Sequence, residues 1–313
     1  MDRQKFESAI ESFLQSGQAS ADAPLAPLTT FKVGGPADWL IDVRSLDEMA
    51  TVITAAAQSA VPITVLGGGS NVLIGDRGVR GAVVRPRLTS VTQPSPAAVR
   101  ADAGVTINGL VRWTIGRGLA GLEAWAGTPG TVGGAIHGNA HYGGRNIGDL
   151  VSRIMVMAPD GQTSIVAAEQ MGFDYDTSRL QRTHEIAIWA EFVVRPGAPE
   201  ALRATARASL AHRKLTQPLD TPSAGCIFQN PNPSRDALPA DMPASAGALV
   251  DRAGLKGHRV GGARISSTHA NFLLNDGQGT AADIRGLIER VRADVHARFG
   301  VELREEVVML GEF

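Results

Sequence analysis

Glycine is the feature that most constrains what this chain can fold into. It accounts for 36 of the 313 residues, against only 9 Phe, 4 Trp and 2 Tyr. A residue without a Cβ lets the backbone approach another segment or a ligand closely. Many glycines gather in two loops, near residues 67–69 and 127–134. The sequence therefore predicts tight turns and close backbone approaches to something bound.

The remaining composition is that of an ordinary globular chain. Hydrophobic residues make up 43% and charged residues 19%, and the net charge is −1. Without an excess or a run of basic residues, we expect no nucleic-acid partner and no membrane surface. A single cysteine excludes an internal disulfide and a Cys-cluster zinc site. The N-terminus lacks a signal-peptide core and no run reaches 18 apolar residues, so we expect a cytoplasmic protein.

Helical and strand patterns alternate along the whole chain, which predicts an α+β fold with mixed sheets. Residues 6–14 have helical spacing, 17–27 have the composition of a linker, and 301–311 have that of a final strand. Capping boxes at Ser45 and Thr280 predict helices that extend to about residues 59 and 299. Composition breaks suggest three sections, with these boundaries: 1–86, 87–198 and 199–313.

The first glycine loop follows a short apolar strand, ITVLG at 63–67. Consecutive glycines let backbone N–H groups converge into an anion nest, and the adjacent side chains add donors. A plain tight turn explains the same residues equally well. The candidate pyrophosphate-binding residues here are Gly67, Gly68, Gly69, Ser70 and Asn71.

In the second glycine loop, apolar residues and two threonines lie between the glycines. A structural turn rarely needs so many glycines, and two such loops in neighbouring sections suit one long ligand such as a dinucleotide. No P-loop pattern occurs, and the G-x-G-x-x-A match at 277–282 leaves too little chain after it for a Rossmann unit. The candidate cofactor-binding residues in this loop are Thr128, Gly130, Thr131, Gly133, Gly134 and Ala135.

These loops belong to a series of motifs that continues to the C-terminus. In order, the motifs are Thr30-Phe31-Lys32-Val33-Gly34-Gly35-Pro36-Ala37, Leu66-Gly67-Gly68-Gly69-Ser70-Asn71, Gly127-Thr128-Pro129-Gly130-Thr131-Val132-Gly133-Gly134-Ala135, Ser223-Ala224-Gly225-Cys226-Ile227-Phe228-Gln229-Asn230-Pro231, Ala253-Gly254-Leu255-Lys256-Gly257, Ser267-Thr268-His269-Ala270-Asn271-Phe272 and Glu306-Val307. The series resembles the UDP-N-acetylenolpyruvoylglucosamine reductase (MurB) family from about residue 28 to 311. An insertion that carries a substrate-covering tyrosine in some members is absent, so the chain resembles the shorter subclass.

The resemblance implies a bipartite FAD-binding fold of the vanillyl-alcohol-oxidase type, formed by the first two sections, and a substrate domain formed by the third. It implies FAD as a non-covalent cofactor, NADPH as the reductant and the enolpyruvyl ether of UDP-N-acetylglucosamine as the substrate. The product would be UDP-N-acetylmuramate, in a cytoplasmic step of peptidoglycan precursor synthesis. No obligate protein partner is implied.

The resemblance also implies two catalytic residues in the third section. Cys226 occupies the place of the family's usual proton-donating serine, and a thiol is a stronger acid than an alcohol. By itself, a lone cysteine is more often a small buried apolar residue. Glu306 matches the glutamate that assists at the enolate. Neighbouring residues of a strand point to opposite faces, so only one of Glu305 and Glu306 can point into a site.

One departure from the family pattern concerns its catalytic arginine, which follows a tyrosine. Here Tyr175 is followed by Asp176, and a carboxylate does not stabilise an enolate. Arg179 is the first candidate for a replacement cation, and Lys214 and Lys256 are the others. The resemblance further implies that Tyr175, Lys256, His269 and Asn271 contact the substrate, although a histidine beside an apolar strand is more often a core residue.

The sequence leaves two other functions open. A different FAD oxidoreductase could use the same scaffold, although no histidine for covalent flavin attachment lies between residues 60 and 80. A non-catalytic flavin or nucleotide-sugar binder is the second alternative, and Asp176 is its only support.

Overall fold

A computed structural model describes the whole chain, Met1–Phe313, as a mixture of helices and strands. The strands are β1 (Ala19–Pro24), β2 (Pro36–Val43), β3 (Ile63–Val65), β4 (Val72–Ile74), β5 (Val79–Pro86), β6 (Val91–Ser95), β7 (Ala98–Asp102), β8 (Leu119–Ala120), β9 (His141–Tyr142), β10 (Arg145–Asn146), β11 (Val151–Met157), β12 (Thr163–Ala167), β13 (Ile186–Val193), β14 (Arg195–Pro196), β15 (Arg259–Val260), β16 (Ala263–Ile265), β17 (Leu273–Asn275) and β18 (Val308–Leu310). The helices are α1 (Arg3–Ala9), α2 (Glu11–Gln15), α3 (Leu46–Gln58), α4 (Ile107–Gly116), α5 (Val132–His137), α6 (Leu180–Thr183), α7 (Pro199–Thr216), α8 (Ala246–Arg252) and α9 (Ala281–Phe299).

The chain divides into two compact units, each assembled from separate segments. The first unit comprises Met1–Ala23, Asp38–Gly68 and Gly81–His212. The second comprises Pro24–Ala37, Gly69–Arg80 and Arg213–Phe313. The section boundaries at residues 86 and 198 rest on the sequence pattern, and they stay a prediction.

Two sheets organise the first unit. One has the strand order β1-β2-β5-β3, in which β3 and β5 are parallel. The other is antiparallel, with the order β12-β11-β13-β7-β6. In its central strand β13 only the last residue is exposed. The four-stranded sheet contributes to the apolar core around Trp39, and the five-stranded sheet contributes both to that core and to another around Phe192.

The second unit packs two helices against a small antiparallel sheet. Helices α8 and α9 share an apolar core with the sheet β15-β16-β17, and Leu249, Ile284 and Ile265 are fully buried there. Strand β4 does not join its sequence neighbours β3 and β5. It pairs in parallel with β18, so the C-terminal segment lies beside residues that follow the first glycine loop.

Helix starts were predicted well because capping depends on local chemistry. The Ser45 hydroxyl caps α3 and the Thr280 capping box begins α9, which ends at Phe299 as predicted. The predicted linker 17–27 is wrong in part, because β1 forms there as an edge strand that buries only Ala19 and Ala23. The opening helix breaks at Ile10, and the final strand shortens to β18.

No helix of the structure combines the length and apolar composition that crossing a membrane requires.

Candidate active site

The two glycine loops contact each other within the first unit. A Cβ built on Gly68 would lie 2.7 Å from the Cα of Gly130, and one on Gly67 would lie 2.6 Å from the Thr131 hydroxyl. Gly133 approaches the Ala103 side chain in the same way, at 3.0 Å. Close packing between the loops therefore requires glycine at these positions. The sequence alone did not distinguish this packing from the close approach of a ligand to the backbone.

The second glycine loop is held by a residue that sequence reasoning missed. Asn108 is in helix α4, and its side-chain oxygen accepts a hydrogen bond from the Gly127 N–H at 2.7 Å. Its side-chain nitrogen donates to the Thr128 carbonyl at 3.1 Å. Both ends of one amide thus fix the start of the loop. No motif marks Asn108, because only the fold places α4 beside this loop.

The first glycines of the two loops carry backbone N–H groups that no other backbone group accepts from. Gly67 and Gly68 are exposed, and neither they nor Gly130 donate a hydrogen bond to another backbone group. Backbone N–H groups without a partner are what an anion nest offers. By contrast, the N–H groups of Gly133 and Ala135 donate to the Ala103 and Thr131 carbonyls. The N–H groups of Gly133 and Ala135 are therefore already used, and these residues can contact a cofactor only through their other atoms.

Beyond Gly68 the first loop enters the second unit. Gly69 is buried with φ +61°, and a Cβ there would lie 2.1 Å from the Leu28 carbonyl oxygen. Asn71 donates through its side-chain nitrogen to the Glu306 carbonyl at 3.1 Å, and its own carbonyl accepts from Val308. Its amide therefore fixes the backbone of a predicted catalytic residue. Ser70, which lies between Gly69 and Asn71 in the chain, is half-buried.

Cys226 lies in a short extended segment with backbone neighbours on both sides. Isolated bridges pair Cys226 with Phe272 and Phe228 with Glu305. The Ile227 carbonyl accepts from the Glu306 N–H at 2.7 Å. The structure thus brings the predicted proton donor and the predicted glutamate onto adjacent backbone segments of the second unit. Cys226 itself is half-buried.

Asn271 fixes the Cys226 segment in place. Its side-chain oxygen accepts from the Phe228 N–H at 3.0 Å, and its side-chain nitrogen donates to the Phe228 carbonyl at 2.8 Å. The residue is buried. The structure therefore gives Asn271 a positioning task, and its predicted contact with substrate stays a prediction.

The two adjacent glutamates have different surroundings. Glu305 lies 3.3 Å from guanidinium nitrogens of both Arg285 and Arg292, so its charge is compensated within the second unit. A carboxylate between two arginines is committed to structure, because removing it would leave two positive charges together. This arrangement supports Glu306 as the residue that faces a site.

His269 and Lys256 lie in the same unit. Burial, and to a smaller extent the positive charge of Lys256, lower the pKa of His269. The His269 Nδ1 accepts from the Asn271 N–H at 3.3 Å, which describes a neutral ring with its proton on Nε2. Lys256 donates to Asp251 at 2.7 Å. Lys214 is exposed near the end of α7.

The segment that departs from the family pattern is in the first unit. Tyr175 and Asp176 form the tip of a turn closed by hydrogen bonds between Asp174 and Thr177. The Asp176 carboxylate lies 3.0 Å from Nδ1 of His141. Sequence reasoning did not single out His141, since 35 residues separate it from Asp176.

Arg179 forms a bidentate ion pair with Glu185. Its Nε and Nη2 donate to the two carboxylate oxygens at 2.7 and 2.8 Å. The hydrogen bond from Arg179 lowers the pKa of Glu185, and the same bond raises the pKa of Arg179. Its charge is thus neutralised by its own segment, which disfavours the prediction that Arg179 replaces the family arginine.

Comparisons with known proteins agree with this arrangement. Residues 217–310 match the family model described as UDP-N-acetylenolpyruvoylglucosamine reductase, C-terminal domain. Residues 37–166 match the one described as FAD binding domain. A UDP-N-acetylenolpyruvoylglucosamine reductase from Carboxydothermus hydrogenoformans is 36% identical over the full length of both chains. One from Anaeromyxobacter dehalogenans is 41% identical, covering 95% of this chain and 87% of its own.

The chain belongs to the UDP-N-acetylenolpyruvoylglucosamine reductase family.

A solved structure supports the same assignment at the level of the fold. The crystal structure of the enzyme from Thermus caldophilus is 32% identical, with a TM-score of 0.77, covering 93% of this chain and 98% of that chain. The predictions of the family, of the mixed α+β architecture and of an FAD-binding domain are therefore confirmed. Members of this family are FAD-dependent oxidoreductases, and this chain is an enzyme of that class.

Proposed function

We propose that this protein reduces the enolpyruvyl ether of UDP-N-acetylglucosamine to UDP-N-acetylmuramate, with NADPH as reductant, during peptidoglycan precursor synthesis. The proposal is supported by relatives of that name that align with the chain from end to end. We propose further that it acts in the cytoplasm, without nucleic acid, membrane or an obligate protein partner.

The observation that carries the proposal is the pairing of the Cys226 segment with the Glu306 segment. The Glu306 N–H donates to Ile227, the residue after Cys226, and Asn271 fixes Phe228 from the other side. A proton donor and an enolate-assisting acid must be held in fixed relative positions to act on one small group. This backbone pairing provides that fixed arrangement within one unit.

The first unit would hold the cofactor. We assign the pyrophosphate to the N–H groups of Gly67, Gly68 and Gly130, with Thr128, Thr131, Gly133, Gly134 and Ala135 around it in the same unit. Gly69, Ser70 and Asn71 lie in the second unit, and their contact with the cofactor stays a prediction. Bound without a covalent link, FAD supplies hydride transfer from NADPH to the vinyl carbon of the substrate. The protein's own contribution is to orient the cofactor and to manage charge and protons.

Protonation is the step assigned to the second unit. When hydride reaches the vinyl carbon, negative charge develops on the neighbouring carbon and its carboxylate. Cys226 donates the thiol proton to that carbon, since a thiol is a stronger acid than an alcohol. Glu306 assists at the enolate as a protonated acid, since an ionised carboxylate would repel the developing charge.

The remaining candidates are proposed to contact the substrate. These candidates are Tyr175, Lys256 and His269. A neutral His269 with its proton on Nε2 is a hydrogen-bond donor for an uncharged oxygen or a phosphate oxygen.

The test is NADPH oxidation by the purified holoenzyme, with and without the enolpyruvyl nucleotide, together with mass analysis of the nucleotide. We expect rapid oxidation only with the nucleotide present, and a product heavier by two hydrogens. A yellow protein that is reduced by NADPH but not reoxidised by this nucleotide would indicate another FAD oxidoreductase. A protein that binds flavin and is not reduced would indicate a non-catalytic binder.

A further inference from the structure

We propose that a groove between helices α4 and α7 is a docking surface for an acidic, amphipathic helix of a partner protein. The groove has a volume of about 300 Å³, and every residue that lines it lies in the first unit. It takes no part in the proposed reaction. A partner bound there would be dissociable, since a groove of this size is far smaller than the interface of an obligate complex.

The groove forms because two amphipathic helices pack into one core. Val111 and Ile115 of α4 are buried one turn apart, and so are Leu202 and Ala206 of α7. Residues three or four apart lie on one face of a helix. The residues that directly follow these buried ones therefore form a second row on each helix, which is exposed along the groove.

Arginines dominate the two exposed rows. Arg112 of α4 and both Arg203 and Arg207 of α7 line the groove. Their side chains form no hydrogen bond and no ion pair with another residue of the chain. Elsewhere in the same unit, Arg153 and Arg179 are paired with glutamates. Three positive charges at one groove are thus left without a negative partner inside the protein.

Acidic residues are missing from this part of the sequence. None occurs between Asp102 and Glu123, or in α7 after Glu200. The chain as a whole has a net charge of −1, so the positive charge is a local feature. Complementary potentials speed the encounter of two proteins and suppress wrong partners. The charge pattern therefore indicates an acidic partner.

An aromatic residue lies beside the arginines. Trp113 and Arg117 of α4 follow Arg112 and Gly116 in the chain, and the Arg117 guanidinium stacks on the Trp113 ring, 3.8 Å from its centroid. Tryptophan and arginine are enriched among the residues that contribute most to binding at protein interfaces. The surface around the groove has that composition.

Gly116 keeps the α4 side of the groove open. It lines the groove, and no atom lies within 4 Å of the position that a Cβ would take there. Its backbone is not left-handed, so neither crowding nor conformation requires a glycine. Glycine weakens a helix relative to alanine. The missing side chain is therefore explained by the space that it leaves in the groove.

The base of the groove distinguishes a protein helix from other negative partners. Ile115 and Ala206, each 8% exposed, form this base, and Leu210, 38% exposed, lies one turn beyond Arg207. A nucleic acid offers its phosphates to basic side chains and needs no apolar base. A membrane surface is bound by protruding apolar side chains, not by a concave groove. An apolar side chain flanked by carboxylates, as on an amphipathic helix, would contact both the base and the arginines.

The experiment measures the fluorescence anisotropy of a labelled synthetic peptide added to the holoenzyme. Leucines repeat along this peptide at helical spacing, and glutamates occupy the positions between them. We expect saturable binding with a Kd below about 1 mM, weakened by added salt because exposed charges are screened. Replacing every leucine by serine, or every glutamate by glutamine, should weaken binding by at least about tenfold.

Three variants test the groove itself. The double variant Arg203→Glu, Arg207→Glu should bind the leucine–glutamate peptide at least about tenfold more weakly. Gly116→Leu should weaken binding as much with no change of charge, because the new side chain occupies the groove. Arg298 is exposed in helix α9 and forms no ion pair, so Arg298→Glu is the matched control and should keep the affinity within about twofold. Flavin content shows whether each variant is folded, and the double variant decides if Gly116→Leu loses its flavin.

Equal affinity of the serine and leucine peptides would overturn the inference, as would unchanged binding by the double variant or by folded Gly116→Leu. Absence of saturable binding by the peptide would overturn it too. If phosphatidylglycerol vesicles or a single-stranded oligonucleotide bind instead, and the double variant loses that binding, the surface belongs to a membrane or a nucleic acid. None of these outcomes depends on turnover of the enolpyruvyl nucleotide, so failure of the proposed function is a separate result.

Discussion

At the scale of single residues, adjacent positions have separate tasks. Glu305 and Glu306 are neighbours in the chain, yet Glu305 is held between Arg285 and Arg292 while the Glu306 backbone is fixed by Ile227 and Asn71. Alternation along an extended segment predicted that one of the two would point into a site. The arginines that identify the structural one are in α9, and no local pattern reveals them.

The glutamates form a matched pair for a test. We expect Glu306→Gln to slow flavin reoxidation by the nucleotide at least tenfold while reduction by NADPH stays nearly unchanged, because it assists only at the enolate. Glu305→Gln should leave both half-reactions intact and lower the free energy of unfolding by about 1–2 kcal/mol, through loss of charged hydrogen bonds. Stopped-flow absorbance and urea unfolding measure the two quantities. Equal slowing of both half-reactions by Glu306→Gln would give this residue a different role.

Cys226 can be tested as a proton donor through isotopic label. Cys226→Ser should retain substantial activity, since serine has this role in the wider family. Cys226→Ala should still accept hydride but protonate slowly, so deuterated reductant should scramble label between the vinyl hydrogens faster than product forms. Nuclear magnetic resonance of recovered substrate detects the scrambling. Normal turnover by Cys226→Ala would mean that the thiol only packs and that the proton comes from elsewhere.

At the scale of elements, β13 is the mostly buried central strand of the five-stranded sheet, and it carries a polar cluster. Glu191 of β13 accepts from Arg153 of β11 at 2.9 and 3.0 Å and from Arg100 of β7 at 3.2 Å. The pKa of Glu191 is lowered chiefly by the hydrogen bond from Arg153 and further by the one from Arg100. The cluster joins three adjacent strands in one register.

This cluster predicts a specific dependence of stability on pH. A lowered pKa in the folded state gives stability that is present above the ordinary value of 4.5 and is lost as the pH falls below it. We expect Glu191→Gln to reduce the free energy of unfolding at pH 7 by about 2 kcal/mol and to flatten its decline below pH 4.5. Urea unfolding at several pH values measures both effects, with the exposed Glu169→Gln as control. An unchanged slope in acid would show that Glu191 is not the linked group.

The glycine loops give a second test at this scale. Gly68→Val places a branched side chain against the Gly130 backbone, so we expect lower flavin content together with a lower melting temperature. Gly116 is at the end of α4, and no atom lies within 4 Å of the position that a Cβ would take there, so Gly116→Ala should raise stability by about 0.5–1 kcal/mol with full flavin content. Flavin content and thermal unfolding are measured side by side. A folded Gly68→Val variant with full flavin would contradict the loop contact.

At the scale of the whole molecule, each compact unit is assembled from segments far apart in sequence. The second unit takes Pro24–Ala37 and Gly69–Arg80 from the N-terminal part of the chain and combines them with Arg213–Phe313. Within it, β4 pairs with β18 and Phe31 accepts a hydrogen bond from Asn275. The second unit therefore cannot be expressed intact as a simple C-terminal fragment.

Cofactor attachment is a property of the whole holoenzyme. We expect purified protein to be yellow, to release its flavin into the supernatant on acid precipitation, and to melt at a higher temperature with FAD in excess, because ligand binds only the folded state. Absorbance of supernatant and pellet, and melting curves with added FAD, provide the measurements. Flavin that remains with the pellet would mean a covalent link.

The sequence by itself determined those features of the protein that depend on local chemistry. Helix caps at Ser45 and Thr280, the apolar strand β13 and the order of the glycine motifs follow from short stretches of chain, as does the family. Contacts between distant segments were decided only by the tertiary structure. These contacts include the edge strand β1, the pairing of β4 with β18, and the packing of Gly68 on Gly130. The partners of Arg179 and Asp176 belong to the same class, because an ion pair depends on where the backbone brings its charges, and sequence patterns record only their spacing along the chain.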